Sequence, residues 1–214
     1  MQAVSTQVVN DLFWLFFWPA VGVAVLVFVW MGYAMVKFRA RPGQPDPKDA
    51  PVAGQIPAHR GSRKVEVTWT VIPTVIVLFL AAVSIGPLNF LWNPPPGEHL
   101  TVRVEAYQWA WDFVYPEGFK TLNELRVPMG QPVVLDVRSR DVIHAFYVPD
   151  FALKTDAVPG QPTVMWFNAT KTGTYRAQCA EYCGLAHARM LATVVVMEPA
   201  AFEQWRAERA RGVA

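Results

Sequence analysis

The sequence predicts two transmembrane helices followed by an all-β Greek-key domain, and three observations lead to this prediction. Two long apolar stretches occupy the first 92 residues. From Leu100 onward, apolar and polar residues alternate with a period of two, and turn signals containing Pro and Gly separate the alternating segments. A proline-rich linker, Asn93–Gly97, joins the two parts. We therefore expect a transmembrane hairpin over residues 1–92 and an extracytoplasmic domain over residues 93–214.

The first apolar stretch runs from Leu12 to Val36 and contains no charged residue. As a helix it would be about 37 Å long, which exceeds the roughly 30 Å hydrocarbon core of a bilayer. Trp14, Trp18 and Trp30 lie towards its ends, where interfacial aromatic residues are enriched. We predict a span over about 12–36, because the run is too long for the apolar core of a signal peptide.

A basic loop over residues 37–64 separates the two apolar stretches. It contains seven basic and two acidic residues, and basic loops remain on the cytoplasmic side of the membrane. The second stretch, Val65–Trp92, has Glu66 as its only charged residue and predicts a span over about 67–92. With this loop inside the cell, both chain termini and the β-rich domain lie on the outer, periplasmic side.

Several segments after residue 100 have the alternation or the apolar run that is typical of strands. They predict a small Greek-key sandwich or barrel. The tail from Pro199 to Arg211 predicts a short helix with Pro in its first turn and with Phe202 and Trp205 as its apolar contacts. The predicted strands are Thr101–Ala106, Val133–Val137, Thr163–Phe167 and Ala192–Val196.

Most of a cluster of metal-binding side chains lies between two predicted strands, Thr174–Gln178 and Leu191–Val196, and His144 lies upstream of both strands. Two thiolates, two imidazoles and a thioether are soft ligands, which suit copper better than magnesium or calcium. Two thiolates that lie close together can each bridge two ions and leave one histidine for each ion, so we favour a binuclear copper centre. The candidate ligands are His144, Cys179, Cys183, His187 and Met190.

Three other interpretations of this cluster stay open at this point. Two cysteines in an oxidising compartment can form a disulfide. A single zinc ion can be held by two cysteines and two histidines, although its histidines are usually close in sequence and these are 43 positions apart. A membrane-anchored copper chaperone would hold one copper in an open site. A loop of ligands on a rigid β-scaffold favours an electron carrier, because it keeps a redox metal in one geometry.

These motifs resemble subunit II of the haem–copper cytochrome c oxidases over almost the whole chain, and the family has a cupredoxin-like outer domain. The segment CAEYCGLAHARM over residues 179–190 is similar to the family's binuclear copper (CuA) loop. Tyr107–Trp111 resembles its aromatic segment, Lys154–Gly160 a motif that follows the first histidine, and Glu66–Pro73 the start of its second span.

The resemblance implies how CuA would be held. The thiolates of the two cysteines would bridge two copper ions, each histidine would complete one ion, and the methionine would be a weak axial ligand. The Glu181 carboxylate would also bind a magnesium or manganese ion shared with subunit I. The implied copper ligands are His144, Cys179, Cys183, His187, Met190 and the backbone carbonyl of Glu181.

The resemblance assigns two further residues, and each has an alternative. Trp109 would be the surface aromatic through which electrons enter from cytochrome c. However, Trp109 and Trp111 are two apart and would share one face of a strand, so at least one is expected to be a packing residue. Glu66 would be the cytoplasmic mouth of a proton path, although snorkelling or pairing with Lys64 explains it equally well.

By the same resemblance, the chain is part of a cytochrome-c oxidase, a proton-translocating oxidoreductase of the bacterial inner (plasma) membrane. CuA would pass electrons from cytochrome c to haem in subunit I, where oxygen is reduced and protons are pumped. The implied partners are subunit I, subunit III, cytochrome c and membrane lipid, with haem only in the partner subunit and no nucleic acid. A CuA-bearing subunit of a nitric oxide reductase is the alternative. Residues 93–214 contain thirteen acidic and twelve basic residues, so we expect apolar docking with weak salt dependence.

Overall fold

The computed structural model of the chain describes residues 3–39, 43 and 61–212. Most of the predicted cytoplasmic loop lies outside the described residues. Contacts divide the chain into two compact units, one formed by Phe13–Ser84 and the other by Met1–Leu12 together with Ile85–Ala214. This grouping differs from the predicted boundary at residue 92, which was placed at the end of the second apolar stretch. The division into a transmembrane hairpin over residues 1–92 and an outer domain over residues 93–214 stays a prediction.

Two long apolar helices form the N-terminal part of the chain, α1 over Val4–Lys37 and α2 over Arg63–Trp92. Both are long and apolar enough to cross a bilayer, and the apolar window of each is not buried within the protein. Helix α1 begins ahead of the predicted span. Its first turn is held by the β-rich unit, because the Ser5 hydroxyl donates a hydrogen bond to the Phe151 carbonyl oxygen (2.8 Å).

The β-rich unit is a sandwich of two five-stranded sheets, which confirms the predicted fold class. The strand order is β3-β2-β1-β5-β8 in one sheet and β4-β10-β9-β6-β7 in the other. Most neighbouring strands are antiparallel, but β1 pairs with β5, and β4 with β10, in parallel. The strands are β1 Leu100–Tyr107, β2 Ala110–Val114, β3 Lys120–Leu122, β4 Glu124–Pro128, β5 Pro132–Ser139, β6 His144–Val148, β7 Leu153–Ala157, β8 Thr163–Asn168, β9 Gly173–Cys179 and β10 Leu191–Met197.

The core of the sandwich follows from the alternation along its strands. In β1, every second side chain from Leu100 to Ala106 is buried, and the residues between them are more exposed. The rings of Trp111 and Phe113 each pack edge to face against the ring of Phe146, with centroids 5.1 and 5.7 Å away. Such pairs add to the free energy of burying apolar area, and they form a rigid layer beside His144, whose ring centroid is 6.1 Å from that of Trp111.

A C-terminal helix, α3 over Pro199–Ala210, packs on the sandwich as predicted from its apolar residues. Phe202 and Trp205 are buried. The Trp205 ring lies edge to face against Tyr115 and Phe119, with centroids 5.3 and 5.6 Å away. The helix therefore closes one part of the core with aromatic contacts.

Candidate metal centre

Neighbouring strands bring the distant histidine to the cysteine loop. His144 is the first residue of β6 and Cys179 is the last residue of β9. The two strands are adjacent and antiparallel, with Phe146 opposite Cys179. The segment from Cys179 to Met190 then connects β9 to β10, and a single 3₁₀ turn, His187–Arg189, brings its end back to the sheet.

The two sulfur atoms lie at the centre of the site. Cys179 Sγ and Cys183 Sγ are 3.8 Å apart, compared with about 2.05 Å in a disulfide, so both thiols are free. His144 Nδ1 lies 3.9 Å from the sulfur of Cys179, and His187 Nδ1 lies 3.5 Å from the sulfur of Cys183. Each imidazole therefore adjoins a different sulfur atom, as a site for two ions requires.

Two further donors complete the group of six that the sequence predicts. The carbonyl oxygen of Glu181 is 3.2 Å from Cys179 Sγ, and Met190 Sδ is 3.7 Å from Cys183 Sγ. Met190 is fully buried, and its position between the 3₁₀ turn and β10 fixes where its thioether lies. The six predicted copper-binding groups are thus brought together.

Asp141 orients the ring of His144. His144 Nε2 donates a hydrogen bond to Asp141 Oδ1 at 2.8 Å, which leaves Nδ1 as the nitrogen that faces the sulfur atoms. Partial burial raises the pKa of Asp141, but hydrogen bonds from His144 and from the backbone N–H groups of Gln108 and Val142 outweigh it, and the pKa lies below its ordinary value. Asp141 is therefore an ionised acceptor that fixes the tautomer of His144.

Burial of the sulfur atoms makes the site suited to a cation. Cys179 and Cys183 are both buried. Burial, and then the proximity of Cys179, raises the pKa of the Cys183 thiol to about 12. Two thiolates cannot lie side by side in an apolar environment without a positive charge that compensates them. The buried thiolates, imidazoles and thioether fit copper, and this soft donor set does not fit a hard cation.

Trp109 lies in a turn and not on a strand, so the prediction that Trp109 and Trp111 share one strand face is wrong. Tyr107 of β1 pairs with Ala110 of β2, and the hairpin turns at Gln108 and Trp109. The period of two therefore does not extend across the pair. Trp111 is fully buried and is a packing residue, as expected for one of the two, whereas Trp109 is 38% exposed.

The turn that holds Trp109 contacts the cysteine loop directly. Trp109 Nε1 and Gln108 Nε2 donate hydrogen bonds to the Cys183 carbonyl oxygen, at 3.2 and 2.8 Å. Gln108 and Asp141 were missed by the sequence reasoning, which followed metal-ligand spacing. Of the remaining predicted site residues, the Glu181 side chain is exposed, and Glu66 lies in the first turn of α2.

Comparison with known proteins gives the family. A family model described as "Cytochrome C oxidase subunit II, periplasmic domain" matches residues 118–198, and one described as "Cytochrome C oxidase subunit II, transmembrane domain" matches residues 1–86. The chain belongs to the cytochrome c oxidase subunit II family. Its two long helices are thus those of a membrane-anchored subunit, and its sandwich is a CuA-type domain that contains the His144, Cys179 and Cys183 cluster.

Named relatives and a solved structure agree with this family. The chain is 32% identical to cytochrome c oxidase subunit 2 of Thermostichus vulcanus, over 86% of this chain and 67% of that protein. It is 31% identical to cytochrome c oxidase subunit 2 of Synechocystis sp., over 89% and 69%. It is also similar to the crystal structure of the periplasmic domain of subunit II of cytochrome oxidase from Bradyrhizobium japonicum, with 34% identity, a TM-score of 0.53, and 56% of this chain and 99% of that one covered. The chain spans about half to two thirds of the length of the curated relatives that it matches.

Proposed function

We propose that this chain is the subunit through which electrons enter a cytochrome c oxidase, passing from reduced cytochrome c through CuA to haem in subunit I, where oxygen reduction is coupled to proton pumping. The observation that carries this proposal is the convergence of four further donors on two free sulfur atoms 3.8 Å apart, which makes six donor groups in all. When bound, a binuclear copper centre supplies a carrier of single electrons. The other partners and the location follow the resemblance: subunit III, membrane lipid and the bacterial inner membrane, with both termini periplasmic.

The side chains of this chain would hold the centre in one geometry through both oxidation states. Cys179 and Cys183 would bind as thiolates, and their burial keeps water away from the sulfur atoms. Asp141 holds the ring of His144, and paired strands fix the backbone at both ends of the ligand loop. A ligand set supported in this way rearranges little when the charge changes, which favours fast electron transfer.

Trp109 is the proposed point at which electrons from the donor protein enter this chain. Its indole is partly exposed, and its Nε1 is one hydrogen bond away from the backbone of Cys183. Tyr182 and Leu185 of the cysteine loop are 76% and 94% exposed, and Ile143 beside His144 is also exposed. These exposed apolar side chains, in the loop that Trp109 contacts and beside His144, would suit a cytochrome c that docks by apolar contact.

The burial of the thiols disfavours a copper chaperone. A chaperone must release its ion to a partner, which needs ligands that the partner can reach. A CuA-bearing subunit of a nitric oxide reductase would use the same centre, and it is distinguished by supplying the assembled complex with oxygen or with nitric oxide and measuring which one oxidises cytochrome c.

Electron paramagnetic resonance of the full chain, loaded with copper in detergent, tests the centre. We expect two copper ions per chain and a multiline hyperfine pattern from one unpaired electron shared by both ions. Gln131→Met, a change directly before β5, is the matched control and should leave the spectrum unchanged. A single copper ion with the spectrum of a mononuclear site would overturn the proposal, and so would loaded wild-type protein that cytochrome c does not reduce.

Two glutamates are proposed for accessory roles. The exposed Glu181 carboxylate would bind magnesium or manganese together with subunit I, and Glu181→Gln in the assembled oxidase is then expected to lower bound manganese while CuA is retained. Glu66, in the first turn of α2, would receive protons from the cytoplasm. Unchanged turnover and proton uptake in Glu66→Gln would exclude that role.

A further inference from the structure

Hydrogen bonds join the β1–β2 turn, Gln108 and Trp109, both to the Asp141–His144 pair and to Cys183. On one side, the Gln108 backbone N–H donates to Asp141 Oδ2 at 2.7 Å, and Asp141 in turn accepts from His144 at 2.8 Å. On the other side, the Gln108 side-chain amide donates to the Cys183 carbonyl oxygen at 2.8 Å. Gln108 is therefore bonded through its backbone towards one histidine and through its side chain to one cysteine.

The turn also approaches the loop too closely to leave room for a side chain beside Cys183. Gly184 has φ +117°, a conformation that favours glycine. A Cβ atom placed there would lie 3.0 Å from Gln108 Nε2 and 3.5 Å from the Trp109 ring. The turn thus packs closely on the Cys183–Gly184 peptide, in agreement with the hydrogen bonds.

We propose that Gln108 is a positioning residue for electron transfer, which holds the Trp109 indole against the Cys183 peptide, and this proposal rests on the proposed role of Trp109. The Cys183 carbonyl accepts two hydrogen bonds, at 2.8 Å from Gln108 and at 3.2 Å from Trp109. The shorter bond comes from Gln108, whose backbone is already fixed by Asp141. Without its amide, the turn loses the shorter of its two hydrogen bonds to the Cys183 carbonyl, so the partly exposed indole is held less firmly. Gln108 itself is not among the six donor groups, so it acts through Trp109.

The test uses the assembled oxidase with Gln108→Met, which keeps the length of the side chain and removes its amide. A misplacement of about 1 Å can slow a reaction by up to about a hundredfold. We expect kcat for the oxidation of reduced cytochrome c to fall at least about tenfold, with KM changed by less than about twofold. Reduction of CuA by ruthenium hexaammine, a small donor that does not need the docking surface, should keep its wild-type rate. Gln131→Met is the matched control.

A second readout does not depend on copper. In the metal-free full chain, hydrogen–deuterium exchange followed by mass spectrometry should be at least about threefold faster for the peptide over residues 107–111 in Gln108→Met, since opening costs less free energy when a hydrogen bond is removed. The copper spectrum of the loaded variant should match that of the wild type. A changed spectrum would show that the variant disturbs the ligands themselves, and it would overturn a positioning role.

Trp109→Phe, measured in parallel, separates this proposal from the one on which it rests. If Trp109→Phe slows the oxidation of cytochrome c and Gln108→Met does not, the role of Gln108 is wrong while electron transfer through Trp109 stands. If Trp109→Phe keeps the wild-type rate, electrons do not pass through Trp109, and both proposals fail. If both variants slow kcat and leave the spectrum and the small-donor rate unchanged, Gln108 is a positioning residue.

Discussion

Copper binding to this chain should release at least one proton, and the affinity for copper should rise with pH. Burial, and then the proximity of Cys179, raises the pKa of the Cys183 thiol from its ordinary 9.0 to about 12. The metal-free thiol therefore keeps its proton throughout the neutral range, whereas copper binds the thiolate. Because the proton and the metal compete for the same sulfur, lowering the pH weakens metal binding.

The magnitude follows from the count of displaced protons. When one proton is displaced per site, the apparent dissociation constant falls about tenfold for each unit by which the pH rises. The proton of Cys183 alone should therefore raise the affinity about a hundredfold between about pH 6 and pH 8. Competition against a chelator of known pH dependence measures this slope in the full chain, and calorimetry in two buffers counts the protons. Cys183→Ser is expected to reduce the slope by about one proton. An affinity that is independent of pH would refute the reasoning.

Three other outcomes can be checked on the same protein. Trp205→Ala should lower the free energy of unfolding by about 3–5 kcal/mol in a denaturant titration, because a buried aromatic ring is lost; a loss below about 1 kcal/mol would contradict its place in the core. Gly184→Ala should cost about 1–3 kcal/mol in the same assay, since its φ is +117°, and wild-type stability would show that the loop adapts. Oxidation of cytochrome c should change less than about threefold as added salt shortens the Debye length from about 30 to about 10 Å, and a steep fall would show docking by charge.

The helices and the longer strands were predictable because one physical signal determines each of them. An uncharged run as long as Leu12–Val36 has few alternatives to a membrane span, and the alternation along β1 predicts a half-buried strand. The shortest strands gave no such signal. Strand β3, Lys120–Leu122, has three residues, which is too short for a period to be recognised.

The side chains that meet at the candidate centre were predictable, their role as ligands stays a prediction, and the residues that support them were not predictable. Cysteine, histidine and methionine at close spacing are recognisable from their chemistry alone. The hydrogen bond from Gln108 to Asp141 joins residues 33 positions apart, and that from Gln108 to Cys183 joins residues 75 positions apart. Such pairs leave no local pattern, because strand pairing brings them together. The position of Trp109 could not be predicted for a related reason, since it depends on where the β1–β2 hairpin turns.

Two arginines at the end of β5, Arg138 and Arg140, are paired with acidic side chains. Arg140 donates hydrogen bonds to Glu105 and to Asp112, the latter at 2.9 Å. Arg138 is paired with Asp136 at 2.7 Å. Opposite charges at these distances largely cancel each other's field a few ångströms into the solvent. We therefore expect these two arginines to contribute little long-range attraction, which agrees with the proposed docking of a cytochrome c by apolar contact.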